Sequence, residues 1–359
     1  MTFRKPFPKT LTALALLAAG CGAQAQSSVT IYGILDASVR YSDGLDAAYA
    51  GSAGSTTMVN SGVNTTSRLG FRGSEDLGGG LAAIFNLESG VNVDSGASAN
   101  ATKYFDRASV VGLRGGFGTL TVGRQTTLLA DVVGAVDPLS SRFASFNPNV
   151  GIAALSSHRL ALEYGPAGST TGSFRLDNSA KYVGQFGGFS VRAMYALGEQ
   201  ANSSSKLSST GLGVGYQAGG ITTSLAYTEF KTVADLSAKG YLGGVRGKLG
   251  STTLSLTYGK LDAETATTAK TVNKTLGLGA TVPLSASLDL VLAHYRLNRT
   301  RTGSTDDGFN RTFAYLEYKL STRSLVYAEL DQTAWKNNYQ GTGNKSNATG
   351  FSLGLKHTF

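Results

Sequence analysis

An all-β chain closed into a sixteen-stranded antiparallel transmembrane β-barrel is the fold this sequence predicts. Three observations lead to it. Segments of about ten residues alternate apolar and polar, the length and pattern that cross an outer membrane when tilted. Seven short turns separate pairs of them. The chain then stops on a bare Phe359, at the end of one more alternating segment.

The N-terminus predicts the compartment. Arg4, Lys5 and Lys9 precede an apolar run over 11–19, and Ala23-Gln24-Ala25 follows as an A-x-A site. That is the pattern of a secretory signal peptide, too short for a membrane-spanning helix. Cleavage after Ala25 divides the chain into a leader, 1–25, and a single barrel domain, 26–359. Cys21 raises the alternative of a lipid-modified cysteine, although Ala18 stands where such sites favour Leu. Cys21 is the one cysteine, so a chain cut after Ala25 has neither disulfides nor thiol chemistry. The formal charge of +9 becomes +6 when the leader's three basic residues are removed. An exported chain rarely meets nucleic acid, so anionic lipopolysaccharide and anionic solutes are the expected counterparts.

The first strand, Val29 to Tyr41, sets Val29, Ile31, Gly33, Leu35, Ala37 and Val39 against Thr30, Tyr32, Asp36, Ser38 and Arg40. The turns follow at 75–80, 115–119, 184–188, 217–221, 248–251, 282–285 and 319–323, giving fourteen strands in seven hairpins. The last strand, Ala348 to Phe359, brings the count to sixteen and puts both termini on the short-turn, periplasmic rim. Leu81, Ala83, Phe85 and Leu87 oppose Asn86 and Glu88; Val191, Ala193, Tyr195 and Leu197 oppose Ser190, Arg192 and Ala196. Ile221, Thr223, Leu225 and Tyr227 oppose Thr222, Ser224 and Thr228. Phe189, Tyr216, Tyr258, Tyr318 and Phe359 sit near strand ends, where amphipathic rings suit a lipid–water boundary. Around Leu288–Tyr295 either register buries something polar, and the register stays open. Lipid itself requires closure, because each unpaired backbone group in hydrocarbon costs several kcal/mol.

Eight longer polar stretches fill the other, extracellular rim: 43–64, 91–104, 125–172, 198–208, 231–238, 262–272, 298–308 and 332–347. The third is by far the longest, and loops of that length are usually functional or disordered. It carries Asp131, Asp137, Arg142 and Glu163. Within it Arg159–Tyr164 also alternates; it reads as loop or strand extension, since a seventeenth spanning strand would separate the termini.

Catalytic constellations are scarce. Gly350-Phe-Ser352-Leu-Gly354 matches the G-x-S-x-G elbow of hydrolases, but only five residues follow Gly354, too few for the helix that motif requires. His158, His294 and His357 form no metal-ligand spacing, and no cofactor motif is found. A barrel enzyme of lipase or protease type would need a Ser or Asp nucleophile beside a His. A non-conducting adhesin barrel would need a plugged lumen, which the many Gly, Ser and Thr residues of the wet face argue against.

Charges on that face are the informative residues. Arg40 shares a side with Asp36; Arg68 and Arg72 share a side of 67–73; Arg107 and Arg175 open two further alternating segments. Together they form a candidate cationic stripe that attracts anions into a narrow aqueous bore. Arginine suits that role because its charge does not titrate away. Should 125–172 fold into the lumen, its carboxylates would face those arginines.

Ser27-Ser-Val-Thr-Ile-Tyr-Gly-Ile-Leu-Asp36, Ser67-Arg-Leu-Gly-Phe-Arg-Gly-Ser-Glu-Asp-Leu-Gly-Gly-Gly-Leu81 and Phe85-Asn-Leu-Glu-Ser-Gly90 resemble the general bacterial porins of the neisserial and beta-proteobacterial branch. So do Gly115–Gln125, Asp177-Asn-Ser179 and Gly354–Phe359. The likeness spans 26–359 and is strongest before residue 125. It implies a homotrimer in the outer membrane through which ions and small hydrophilic solutes diffuse, with the third loop folded inward. It also implies that arginines on the wall, here Arg68, Arg107 and Arg175, face acidic residues on that loop, for which Asp131 and Asp137 are candidates. The sequence departs from many relatives in lacking a P-E-F-G-G-like stretch in 125–172. Phe359 resembles the terminal signal read by the outer-membrane assembly machinery.

Overall fold

The computed structural model describes residues 28–140, 142–154 and 174–359. One antiparallel sheet contains all the strands, and its last strand pairs back onto its first. In chain order these are β1 (Ser28–Leu45), β2 (Gly51–Ser61), β3 (Arg68–Gly78), β4 (Leu81–Gly90), β5 (Ala108–Gly115) and β6 (Gly118–Thr126). Then come β7 (Arg175–Phe186), β8 (Phe189–Ala196), β9 (Ser209–Ala218), β10 (Ile221–Lys231), β11 (Ser237–Leu249) and β12 (Thr252–Ala266). The remainder are β13 (Ala269–Pro283), β14 (Leu288–Arg301), β15 (Asp307–Lys319), β16 (Ser324–Lys336) and β17 (Asn347–Thr358).

Seventeen segments make sixteen staves. β2 and β3 lie end to end along one edge of β1: Ala37–Leu45 pairs with β2, and Ser28–Ile34 with β3. Residues 62–67 interrupt that stave without adding another. On the other edge of β1, Ile34–Asp43 pairs with Thr349–Thr358 and closes the cylinder. Gly33 and Phe359 complete the seam by exchanging backbone hydrogen bonds of 3.1 and 3.2 Å. A Cβ at Gly33 would lie 2.4 Å from the Phe359 ring, so only glycine lets the terminal ring cover the joint.

Period-two alternation sorts the wall as lipid demands. Val29 and Val39 on β1 are 67% and 58% exposed on the outside, while Asp36 and Arg40 on the opposite face are fully buried. Phe351, Leu353 and Leu355 on β17 and Phe359 just past it face outward; Ser352 faces in. Phe189, Tyr216, Tyr258 and Tyr318 expose their rings on the outer face. All seven expected turns fall at hairpin junctions.

Several of the expected loops are partly strand, three of them extensively. In 43–64, β1 runs to Leu45 and β2 occupies 51–61; β12 and β13 meet across 262–272 at a tight turn, and β14 and β15 extend into 298–308. These extensions are polar on both faces, so period-two contrast vanishes and the sequence reads as loop. Arg159–Tyr164 and His158 lie outside the described residues.

Between β6 and β7 the chain turns inward as two helices, α1 (Leu128–Val136) and α2 (Pro148–Ala153). Thr127 caps α1 by accepting from the Ala130 N–H at 3.1 Å. Asn147 caps α2, with Pro148 at its first turn. Leu128, Leu129, Val132, Val136 and Ile152 pack against the inner faces of β8 to β12, among them Met194, Phe230, Leu242 and Leu261. Further along, Leu139, Phe143 and Phe146 pack on Val291, Tyr295, Phe313 and Tyr315 of β14 and β15. Each such side chain contributes roughly 1.5–3 kcal/mol on burial. This docking settles the register of 288–295. Leu288, Leu290, Leu292 and His294 face lipid, and Val291, Ala293 and Tyr295 face the loop.

Candidate functional site: two walls of one lumen

The third loop lies along the wall from β8 to β15, touches β7 through Leu176 and Lys181, and leaves the wall from β3 to β6 open. On that open wall the arginines converge. Arg68, from β3, donates from Nε to the Thr66 carbonyl at 2.9 Å and stands 4.0 Å from Glu88 of β4. Arg107, immediately before β5, holds the same carboxylate at 2.6 Å. Arg72 places its guanidinium 5.0 Å from the Tyr32 ring, and the Tyr32 hydroxyl shares its one proton between Asn86 Oδ1 at 2.8 Å and Glu88 Oε2 at 3.0 Å. Arg175, first residue of β7, lies in the field of Arg107, Arg124, Glu88 and Asp106. So Arg68, Arg107 and Arg175, three of the five expected wall arginines, are gathered around one glutamate, and Arg72 joins them through Tyr32.

Two members were missed by the sequence. Arg124 pairs with Asp177 at 2.7 Å, and Lys103 holds the other oxygen of Asp177 at 2.5 Å. By strict alternation with Leu120 and Val122, Arg124 belongs on the lipid face. A bulge between Gly123 and Gln125 re-aims it, and Gly123 adopts φ 125° there. Two adjacent cues, a glycine in a strand and a charge on its greasy parity, were the signal. The cluster sets Arg68, Arg72, Lys103, Arg107, Arg124 and Arg175 against Glu88, Asp106 and Asp177, a surplus of three positive charges.

Arg40 does not join them. Its side chain faces inward, as alternation requires, but it is fully buried between the wall and the loops. It bonds Asp331 at 2.6 Å and Glu329 at 3.0 Å, both from β16, and donates to Ser352 of β17 at 3.0 Å. The rings of Phe143 and Tyr49 close over it at 5.0 and 5.6 Å. A Cβ at Gly350 would sit 1.9 Å from its Nη2, so the bare backbone there makes its room. The expected bore residue is instead an anchor for the third loop, because the aromatic rings of that loop cover it. Burial pushes the Tyr49 hydroxyl up to about 12 and keeps it a neutral cover.

Nor do the two candidate aspartates face the arginine cluster. Asp131, on α1, is held by Lys181 of β7 at 2.6 Å and by the Thr126 hydroxyl at 2.9 Å. Asp137 is fully buried. It accepts from Tyr295 Oη at 2.8 Å, Asn147 Nδ2 and Asn149 Nδ2 at 2.7 Å each, and the Leu139 N–H at 2.9 Å. Burial raises its carboxyl above the ordinary aspartate range, despite those four donors. Its work is to tie the loop to β14. Arg142 fastens the loop to Glu317 of β15 with two bonds of 2.6 and 2.7 Å. Burial opposes its charge, and Glu317 outweighs burial and lifts it.

The elbow motif is likewise structural. The Ser352 hydroxyl donates to Glu329 at 2.8 Å and accepts from Arg40, while His357 is turned outward and bonds Ser324 at 2.8 Å. Among the described residues no group of three His, Cys, Asp or Glu side chains is arranged to hold a metal.

A sixteen-stave cylinder with a loop folded against one inner wall and arginines on the other invites comparison with known barrels. The Gram-negative porin family model matches residues 10–338. This chain belongs to the Gram-negative porin family. It is similar to an outer membrane porin protein of Bordetella pertussis, 34% identical over 232 residues, 61% of this chain and 56% of that one. It is similar also to outer membrane porin protein 32 of Delftia acidovorans, 38% identical over 194 residues, 54% of this chain and 50% of that one. These alignments span about half the length of each relative. Among solved structures, the anion-selective porin from Comamonas acidovorans matches with a TM-score of 0.76 at 27% identity, over 93% of this chain and 100% of that chain. Family and barrel together place the chain in the outer membrane of a Gram-negative bacterium.

Proposed function

We propose that this porin is a passive, anion-preferring diffusion channel for ions and small hydrophilic solutes, assembled as a homotrimer after removal of residues 1–25. The single observation that carries the reading is the pair of unlike inner walls. Loop 3 narrows the bore from one side, and the cluster around Arg68, Arg107 and Arg175 supplies the field on the other. A fixed charge in a low-dielectric bore concentrates counter-ions and lowers their entry barrier. The cluster needs no facing carboxylate on the loop to do this, since its own surplus is positive. Passive diffusion requires no nucleophile, metal or cofactor. Membership of the family supports the trimer and the reading of Phe359 by the assembly machinery. The relation to a porin described as anion-selective supports the sign of the preference.

Purified protein in a planar bilayer tests the reading. Discrete conductance steps, in triplets, with a reversal potential of anion sign across a salt gradient, are expected. Conductance without anion preference would remove the arginine cluster from the account, and no conductance at all would remove the channel.

A further inference from the structure

A cavity of ≈ 320 Å³ remains between the third loop, Tyr49 of the first loop and the strands β14, β15 and β16. Leu297 stands four residues before the end of β14, Phe309 two after the start of β15, and Trp335 one before the end of β16. The cavity therefore belongs to the extracellular mouth, apart from the cluster around Arg68. Its walls are largely rings. Phe309 meets Trp335 and Tyr339 edge-on at 5.3 and 5.2 Å, and Trp335 stacks on Tyr339 at 5.8 Å with 9° between their planes. Phe146 of the loop lines it as well.

Among these rings lies Arg311 of β15, only 5% exposed. Its guanidinium carbon is 3.4 Å from the centroid of Phe146, 4.4 Å from that of Phe309 and 5.6 Å from that of Trp335. Nε donates to the Thr333 hydroxyl at 2.8 Å and Nη1 to the Phe146 carbonyl at 2.6 Å; Nη2 makes no hydrogen bond among the described residues. Nor does any carboxylate among them stand within ion-pair distance of Arg311. The neighbouring carboxylates are already engaged, Glu329 and Asp331 by Arg40, and Asp307 by Arg299 and Arg301. Four arginines and three carboxylates leave a surplus of one charge, and it falls on Arg311. Rings soften the burial of a cation, but they do not replace a counter-charge.

Apolar walls with one or two polar groups that fix orientation are the composition of a small-molecule site. A sugar would lie on the rings and leave the guanidinium unmatched. A small inorganic anion would match the guanidinium and leave the rings unused. A planar ring that carries one carboxylate uses both. We propose that this cavity is a binding site for aromatic monocarboxylates, of which benzoate is the simplest. The carboxylate accepts from Arg311, and the ring packs among Phe309, Trp335 and Tyr339. The cluster around Arg68 attracts any small anion, whereas this cavity selects among them. As a step in uptake the site rests on the channel reading; as a binding site it does not.

Trp335 is the chain's one tryptophan, so its emission reports on the cavity without a label. Folded protein in detergent is titrated with three probes: benzoate, benzamide, which keeps the ring without the charge, and acetate, which keeps the charge without the ring. A saturable change in Trp335 emission is expected with benzoate, at concentrations about tenfold or more below those that either other probe requires. Arg311→Gln should weaken the benzoate response by on the order of tenfold, and Arg323→Gln, at a turn on the opposite rim, should leave it unaltered. The combined variant R68Q/R107Q/R175Q should bind benzoate as the unaltered protein does; loss of the response there would assign the ligand to the cluster and overturn the inference. Benzamide or acetate as effective as benzoate overturns it on the unaltered protein alone, whether or not an Arg311 variant folds. Unchanged benzoate binding by folded Arg311→Gln overturns it too. The readout needs no current, so a protein that binds benzoate without conducting would lose the channel reading and keep the site.

Discussion

The walls β3–β6 and β8–β15 are built from the same alternating strands and face the same lumen, yet their inner surfaces differ in kind. The first carries a charge cluster that no part of the loop covers: Arg68 and Arg107 share Glu88, and Arg72 lies along Tyr32. The second is apolar, with Val291, Tyr295, Phe313 and Tyr315 beneath Leu139, Phe143 and Phe146 of the loop. Beneath the loop, Arg40 is buried and matched by Glu329 and Asp331, while Arg311 is buried on the Phe146 carbonyl and the Thr333 hydroxyl. Where the loop covers the wall, its polar groups are buried and hydrogen-bonded to the loop, as Thr257 and Thr275 are to Asn149. The loop converts one half of the lumen into a protein core and leaves the other half to work on solutes.

That contrast predicts unlike responses to substitution. Arg40→Ala should be the most damaging single change, because it strands two buried carboxylates, a loss of about 3–5 kcal/mol. Thermal unfolding in detergent should show it, and a loss no greater than that of Arg323→Ala would mean that the anchor carries no weight. Asp137→Ala comes next. It orphans Tyr295, Asn147 and Asn149, at about 1–3 kcal/mol, and should add flicker to the single-channel current as the loop loosens. On the open wall the response should change in kind: Glu88→Gln should leave unfolding little altered and move the reversal potential further toward anions. A shift toward cations there would contradict the assignment of the cluster as the field source.

The smallest effect concerns pH. Because burial raises the Asp137 carboxyl in the docked loop, docking takes up a proton. Its contribution to stability is complete below the ordinary aspartate value, about 3.9, and is lost as pH rises through the raised one. Protection of loop 3 from proteolysis should accordingly tighten on acidification from neutrality. A loop that loosens over the same range would show that another group governs docking.

Much of the barrel was legible because lipid enforces a strict pattern. One face of β1, β8, β10 and β17 must be greasy, so residues such as Val39 and Leu353 declared their side. The pattern failed where that constraint lapses. In β14 the loop makes the inner face apolar too, so Val291 and Leu292 looked alike. In the first half of β2, Gly, Ser, Ala and Thr occupy both faces, so neither side stands out. The arginine wall was legible residue by residue, since Arg68, Arg72, Arg107 and Arg175 open or punctuate alternating segments. Arg124 was hidden by a bulge. The burial of Arg40 and Asp137 depends on rings and amides brought by a loop more than a hundred residues away in sequence from Tyr295 and Glu329, and no local pattern carries that.

The most direct measurement is the reversal potential of the combined variant R68Q/R107Q/R175Q, recorded from single channels in a salt gradient beside the unaltered protein. The open wall as source of selectivity predicts that conductance steps persist and the potential moves toward cations. An unchanged potential with intact steps would contradict it.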